Sequence, residues 1–113
     1  MAAGLSAGTA LAIGGSVGSL TGAGTTTTDA AIIATDIVRL TGASNSGARL
    51  QPGTPGDEVF ILNESANTIK IYPPSGGTPN AGSADAAISL TTLKPAQVKY
   101  ITATAVMINT GAV

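Results

Sequence analysis

The chain has 113 residues, net charge −1 and only 10% charged side chains, against roughly a quarter in ordinary soluble domains. No cysteine and no histidine occur, which removes disulfides, thiolate metal sites, and the commonest general base and transition-metal ligand. Five Lys and Arg scattered through the sequence do not form the cationic cluster that a phosphate backbone requires, so no nucleic-acid partner is expected.

Residues 1–24 carry no charge and hold seven of the fifteen glycines. No basic segment with a sustained apolar run precedes a cleavage signal, so a secretory leader is not expected. Gly, Ser and Thr interrupt every apolar run well before the about 20 residues that a membrane span needs, so no membrane partner is expected. The segment reads as an extended or flexible arm, 1–24, followed by a single β domain, 25–113. Its small side chains suit an arm that orders against a neighbouring surface.

Thr25–Thr28 favours extended backbone because β-branched residues fit a pleated surface. Asp29–Leu40 reads as two short strands around Thr35-Asp36, since Ile32-Ile33 and Ile37-Val38 are β-branched pairs. A helix capped by Asp29 and closed by Gly42 is the competing reading. Ala48–Leu50 is a brief strand ended by the Gln51–Gly56 turn. Glu58–Leu62 and Thr68–Tyr72 flank the polar run Asn63–Asn67, and the whole of Gly56–Pro74 reads as a β-hairpin with Phe60 in the core. Here Asn63 and Asn67 are turn residues able to adopt unusual backbone angles, and Ile69 and Ile71 share a face opposite Lys70. Ser75–Ala86 is a long, nearly uncharged loop of the kind that forms contact surfaces. Ala87–Leu93, Gln97–Thr102 and Ala105–Asn109 complete the strands, with Val98 beside Tyr100 and Val106 beside Ile108. The expected fold is all-β, a small antiparallel β-sandwich or barrel with an extended Gly/Ala-rich N-terminal arm.

Motifs that carry chemistry are weak. Asp57-Glu58 is the only adjacent acidic pair, and neighbouring strand residues point to opposite faces, so a leading turn explains it better than acid–base work. Asp36 or Asp57 could offer oxygen to a calcium ion, but no loop motif surrounds them. Gly14–Gly18 and Gly22–Gly24 lack the Lys-Ser or Lys-Thr that follows a phosphate loop. Asn63-Glu64-Ser65 matches a glycosylation acceptor and Pro52–Pro55 a proline-ligand spacing, both explained by turns. No cofactor, no metal and no enzymatic activity are expected. The candidate residues are therefore interaction residues: Leu5, Leu11, Ile13, Val17 and Leu20 along the arm, and Tyr72, Pro79 and Asn80 at the long loop.

From Gly47 onward, Ala48-Arg49-Leu50, Gly56-Asp57-Glu58-Val59, Asn63, Ala66-Asn67, Ile71–Gly76, Asn80-Ala81-Gly82, Leu90 and Thr102-Ala103-Thr104 together resemble a family of short virion proteins of tailed bacteriophages. Gln51 stands where that pattern has proline, and Met107 near a position that often holds tryptophan. The resemblance implies a head decoration (cement) protein on the outer surface of the capsid, binding the major capsid protein as a homo-oligomer, with a trimer the expected form. A tail, neck or fibre module is the alternative within the virion. A carbohydrate- or receptor-binding β domain using Tyr72 and the 75–86 loop is the alternative outside it.

Overall fold

The computed structural model describes residues 16–110, and among these there is no helix. Among the described residues nine strands form two mixed sheets: β1 (Val17–Thr21), β2 (Ala31–Ile32), β3 (Ile37–Thr41), β4 (Gly47–Arg49), β5 (Glu58–Asn63), β6 (Ile69–Tyr72), β7 (Ile88–Leu90), β8 (Pro95–Tyr100) and β9 (Val106–Asn109). The five-stranded sheet has the order β9-β8-β5-β3-β1 and the four-stranded sheet β2-β4-β6-β7.

Through β6 the chain visits the two sheets alternately. β1, β3 and β5 pair in parallel in one sheet, and β2, β4 and β6 pair in parallel in the other. Parallel neighbours need a crossover connection, and here each crossover contains a strand of the opposite sheet. Val17 lies beside Ile37 and Ile37 beside Phe60, while Ala31 lies beside Ala48 and Ala48 beside Ile71. Each passage around both sheets thus advances the sequence by roughly twenty residues, within the range of stacked-repeat architectures. After β6 the path changes. β7 returns antiparallel to β6, β8 antiparallel to β5, and β9 antiparallel to β8.

The expected antiparallel arrangement is therefore corrected to mixed sheets, and the expected Gly56–Pro74 hairpin to a crossing between them. β5 and β6 belong to different sheets and share no ladder. The connection that separates them is built on Asn63. Its side chain is fully buried; Nδ2 donates to the carbonyls of Asn67 (2.7 Å), Leu90 (3.0 Å) and Thr91 (3.1 Å). Oδ1 accepts from the amide (3.0 Å) and hydroxyl (2.7 Å) of Ser65. Asn67 Nδ2 then donates to the Gly42 carbonyl of the preceding crossing at 2.9 Å. Neither asparagine has positive φ. Their contribution lies in side-chain bonds that satisfy the backbone of a tight crossing, where an unpaired buried carbonyl is costly. A hairpin is present instead at β8–β9, closed by Thr102, whose hydroxyl accepts from Ala105 N at 3.0 Å.

The predicted strand pair within Asp29–Leu40 is found as β2 and β3, rather than the helix. Thr25–Thr28 is a turn instead of extended chain. The Asp29 carboxylate folds back to accept from Thr26 N (2.8 Å), Thr26 Oγ1 (2.8 Å) and Thr25 N (3.1 Å). Those bonds, led by the Thr26 hydroxyl, hold its pKa below the ordinary value.

Strand alternation sets the core. Val38, Leu40, Val59, Ile61, Val98, Val106 and Ile108 point inward from the larger sheet, and Ala48, Leu50, Ile69, Ile71 and Leu90 from the smaller, in one continuous cluster. The expected pairs Val98/Tyr100, Val106/Ile108 and Ile69/Ile71 are all buried. Phe60 is not among them. With Val59, Ile61 and Asn63 facing in, the period of two places Phe60 and Leu62 outside, and they are 44% and 41% exposed.

Candidate functional site

The five-stranded sheet presents its outer face in register, which brings residues distant in sequence into rows. One row runs Val17, Ile37, Phe60, Gln97, Asn109 from β1 to β9. The next runs Ser19, Arg39, Leu62, Pro95. On the other side lie Glu58, Lys99 and Met107. With strands about 4.8 Å apart, Val17, Ile37 and Phe60 make an apolar stripe about 10 Å across, extended diagonally by Leu62. Val17 is 62% and Met107 50% exposed.

Charges on this face neutralise one another. Arg39 Nε lies 3.2 Å from both oxygens of Glu64, and Lys99 Nζ lies 3.2 Å from Glu58 Oε2. Both pairs are exposed, where such bridges stabilise by about 0–1 kcal/mol, so their effect on the fold is small. Their effect on the surface is larger. An apolar stripe flanked by internally paired charges can be desolvated without stranding an unpaired ion.

At the start of β3 and β5 the two sheets part to form a cleft of about 550 Å³, within the size range of small-molecule sites. Its walls include Ile33, Asp36, Gln51, Asp57, Glu58, Phe60 and Tyr100. The acids are already engaged. Asp36 Oδ2 accepts from Ser16 N at 3.3 Å, Asp57 Oδ2 from Thr54 N at 2.9 Å, and Glu58 pairs with Lys99. Tyr100 donates its hydroxyl to the Gln51 carbonyl at 2.5 Å. Burial, reinforced by the Asp57 charge, pushes its pKa up to about 12, so the hydroxyl stays protonated at neutral pH. The remaining carboxylates have similar duties: Asp29 closes the 25–29 turn, Asp85 accepts from Gly76 N at 2.7 Å, and Glu64 holds Arg39. Each acid in the sequence thus engages a backbone amide or an ion pair, and among the described residues no three metal-ligating side chains cluster.

The candidate interaction residues separate into three groups. Leu5, Leu11 and Ile13 lie outside the described residues. Val17 ends the exposed stripe, while Leu20, on the opposite face of β1, packs against the core. Both belong to β1, so the part of the 1–24 segment that the structure describes includes a strand of the domain's own sheet.

Tyr72, Pro79 and Asn80 serve the fold. Tyr72 is buried; its hydroxyl donates to the Thr25 carbonyl at 2.9 Å, and its ring lies so close to Gly47 that a Cβ there would come within 2.7 Å of it. Pro79 is buried and bridges to Val106. Asn80 is exposed but pairs with the edge of β9: Oδ1 accepts from Ile108 N (2.7 Å) and Nδ2 donates to Ile108 O (3.1 Å).

The surface residues that sequence reasoning missed are Ile37, Phe60, Leu62 and Met107. The signal lay in β5, where Glu58–Asn63 is apolar at both parities except for its ends. Only the knowledge that Asn63 faces in selects which apolar set faces out. Comparison of the chain with protein-family models, curated proteins and solved structures finds no match.

Proposed function

We propose that the protein is a structural virion component, a capsid decoration (cement) protein that binds the major capsid protein lattice and stabilises the head. The observation that carries this reading is the in-register apolar stripe Val17–Ile37–Phe60 with Leu62, on a face whose charges are paired internally. A face of that kind supports a docking role, because contiguous exposed apolar surface marks interaction sites and a large aromatic near its centre supplies a binding anchor. The resemblance of the Gly47–Thr104 region to short bacteriophage virion proteins supplies the class of partner.

The two sheets around one core are read as a small sandwich, and a homotrimer is the proposed assembly on the shell's outer surface. The engaged acids and the protonated Tyr100 favour a binding role for the 550 Å³ cleft over acid–base chemistry. A tail, neck or fibre module would use the same face. A carbohydrate platform at Tyr72 is disfavoured, since the ring is buried.

The test is a count of copies per particle by quantitative mass spectrometry of purified virions. A ratio near one to one with the major shell protein is the expected result. A few copies would assign the protein to the neck or tail, and absence from the particle would overturn the virion reading.

A further inference from the structure

The turn that leads into β8 carries two side chains that its own fold does not use. Lys94 N donates to Thr91 O at 3.2 Å, and Leu93 holds the third position of that four-residue turn with φ +59°. Positive φ there belongs to the glycine or asparagine of a type II turn, and a bulky L-residue is strained in it. Leu93 is nevertheless the most exposed large apolar side chain among the described residues, at 70%, so packing within the chain does not offset the strain. The turn itself is firmly held. Asn63 Nδ2 donates to Thr91 O and Asn63 N to Lys94 O, each at 3.1 Å, and Thr92 Oγ1 donates to Ser65 O. Lys94 is exposed and pairs with no carboxylate among the described residues.

The 550 Å³ cleft has the complementary character. Ile33, Pro52, Val59, Phe60 and Tyr100 give it apolar walls, and Asp36 and Asp57 line it with carboxylates that meet no cation among the described residues. Position matters as much as chemistry. The cleft lies at the start of β5 and the end of β8, whereas the turn precedes Pro95, the first residue of β8, beside Leu62. Turn and cleft are thus separated by the length of β8, six residues or about 17–20 Å. A chain cannot fill its own cleft with its own turn, but a second copy displaced along the strands can.

We propose that the Leu93-Lys94 turn of one copy enters the cleft of the next, with Leu93 against the apolar walls and Lys94 toward Asp57, three copies closing the contact into a ring. Different patches meet across such a contact, so it is heterologous, and a heterologous contact closes into a ring when its rotation allows. The inference rests on the homotrimer reading above and names the surfaces that build it. An anchor already fixed in one conformation loses little freedom on binding, and backbone strain of the kind found at Leu93 persists at binding sites. Lys94 brings a cation to carboxylates that have none, so charge selects this occupant over an acidic or purely apolar one.

Sedimentation equilibrium of the full chain over a concentration series tests this. The wild type is expected to associate to a trimer. Leu93→Asn, which suits the positive φ, weakens association at least about tenfold, while its Tm at dilutions where both proteins are monomeric equals or exceeds that of the wild type. Lys94→Ala and Asp57→Asn, the latter keeping an acceptor for Thr54 N, each weaken association, and the double variant loses less than the product of the two factors. Added salt weakens the wild type more than Lys94→Ala. A trimer unaffected by Leu93→Asn would overturn this contact and leave the homotrimer reading standing, as would independent losses at Lys94 and Asp57. A wild type that stays monomeric at every concentration would overturn both. A lower Tm for Leu93→Asn would place Leu93 in the packing of its own chain, and would overturn the proposal as well.

Discussion

Replacing Asn63 tests the crossing that makes this chain alternate between sheets. The side chain is fully buried and makes five hydrogen bonds, three as donor to main-chain carbonyls and two as acceptor from Ser65. Asn63→Ala removes all five and leaves a gap beside the Leu90 and Thr91 carbonyls. Each bond contributes about 0.5–1.5 kcal/mol net, and a buried acceptor left unpaired costs about 1–3 kcal/mol. Water can reach the partly exposed Ser65 and Asn67, so the sum settles at about 3–5 kcal/mol. That is a large share of the about 5–15 kcal/mol that holds a typical domain together. Urea unfolding of the two proteins at neutral pH reads it directly as a fall in midpoint at constant m-value. Asn63→Asp sharpens the argument, because it keeps the acceptor for Ser65 but aims an oxygen at three carbonyls. The introduced carboxyl has a raised folded-state pKa, so the deficit is smallest below its unfolded value of about 4 and grows as pH rises through the folded value. A cost below about 1 kcal/mol for Asn63→Ala, or a pH-independent deficit for Asn63→Asp, would refute the reasoning.

Three further outcomes are expected. Phe60→Ser with Leu62→Ser should change the stability of the free protein by about 1 kcal/mol or less, against about 3–5 kcal/mol for a buried aromatic. The same variant should weaken co-sedimentation with purified shells at least about tenfold; a stability loss above about 3 kcal/mol would place these side chains in the core. Gly77→Ala should cost about 3 kcal/mol or more, since its Cβ would sit 2.0 Å from the Thr104 carbonyl oxygen. Gly56→Ala, in open space at φ +93°, should cost only about 1 kcal/mol; thermal unfolding giving the reverse order would contradict both assignments. Tyr100, with its folded-state pKa raised from 10.0 to about 12, contributes stability that is complete below pH 10 and lost as pH rises through 12. Denaturation at a series of alkaline pH values should show that decline, and Tyr100→Phe should flatten it.

Much of the local structure was legible in the sequence, because it depends on residues a few positions apart. The β-branched pairs in Asp29–Leu40 gave β2 and β3, and the alternation Ile69-Lys70-Ile71 and Gln97–Tyr100 gave the correct buried faces. Pairing was less legible. Asn63–Asn67 looks the same whether a chain folds back on its neighbour or crosses to another layer, and the choice rests on what Asn63 meets: Leu90 and Thr91, some 27 residues away. Phe60 was misplaced for the same reason, since facing follows from register and register from that distant contact. Of the surface, the arm residue Val17 was identified from sequence as an interaction candidate. Its row partners Ile37 and Phe60 emerged only when parallel pairing brought the three into line.

The alternating path also bears on how such a chain can change length. Each passage rests mainly on the one before and the one after, so the array behaves as a stack in which whole layers are the natural unit of gain or loss. Duplicating or excising one full layer would lengthen or shorten the body while leaving its cross-section and the β7–β9 closing segment intact. Inserting a few residues within β3 or β5 would instead throw every later row out of register. The crossings already differ in size, from four residues at 33–36 to nine at 22–30. A protein built this way can be fitted to thicker or thinner surroundings by counting layers.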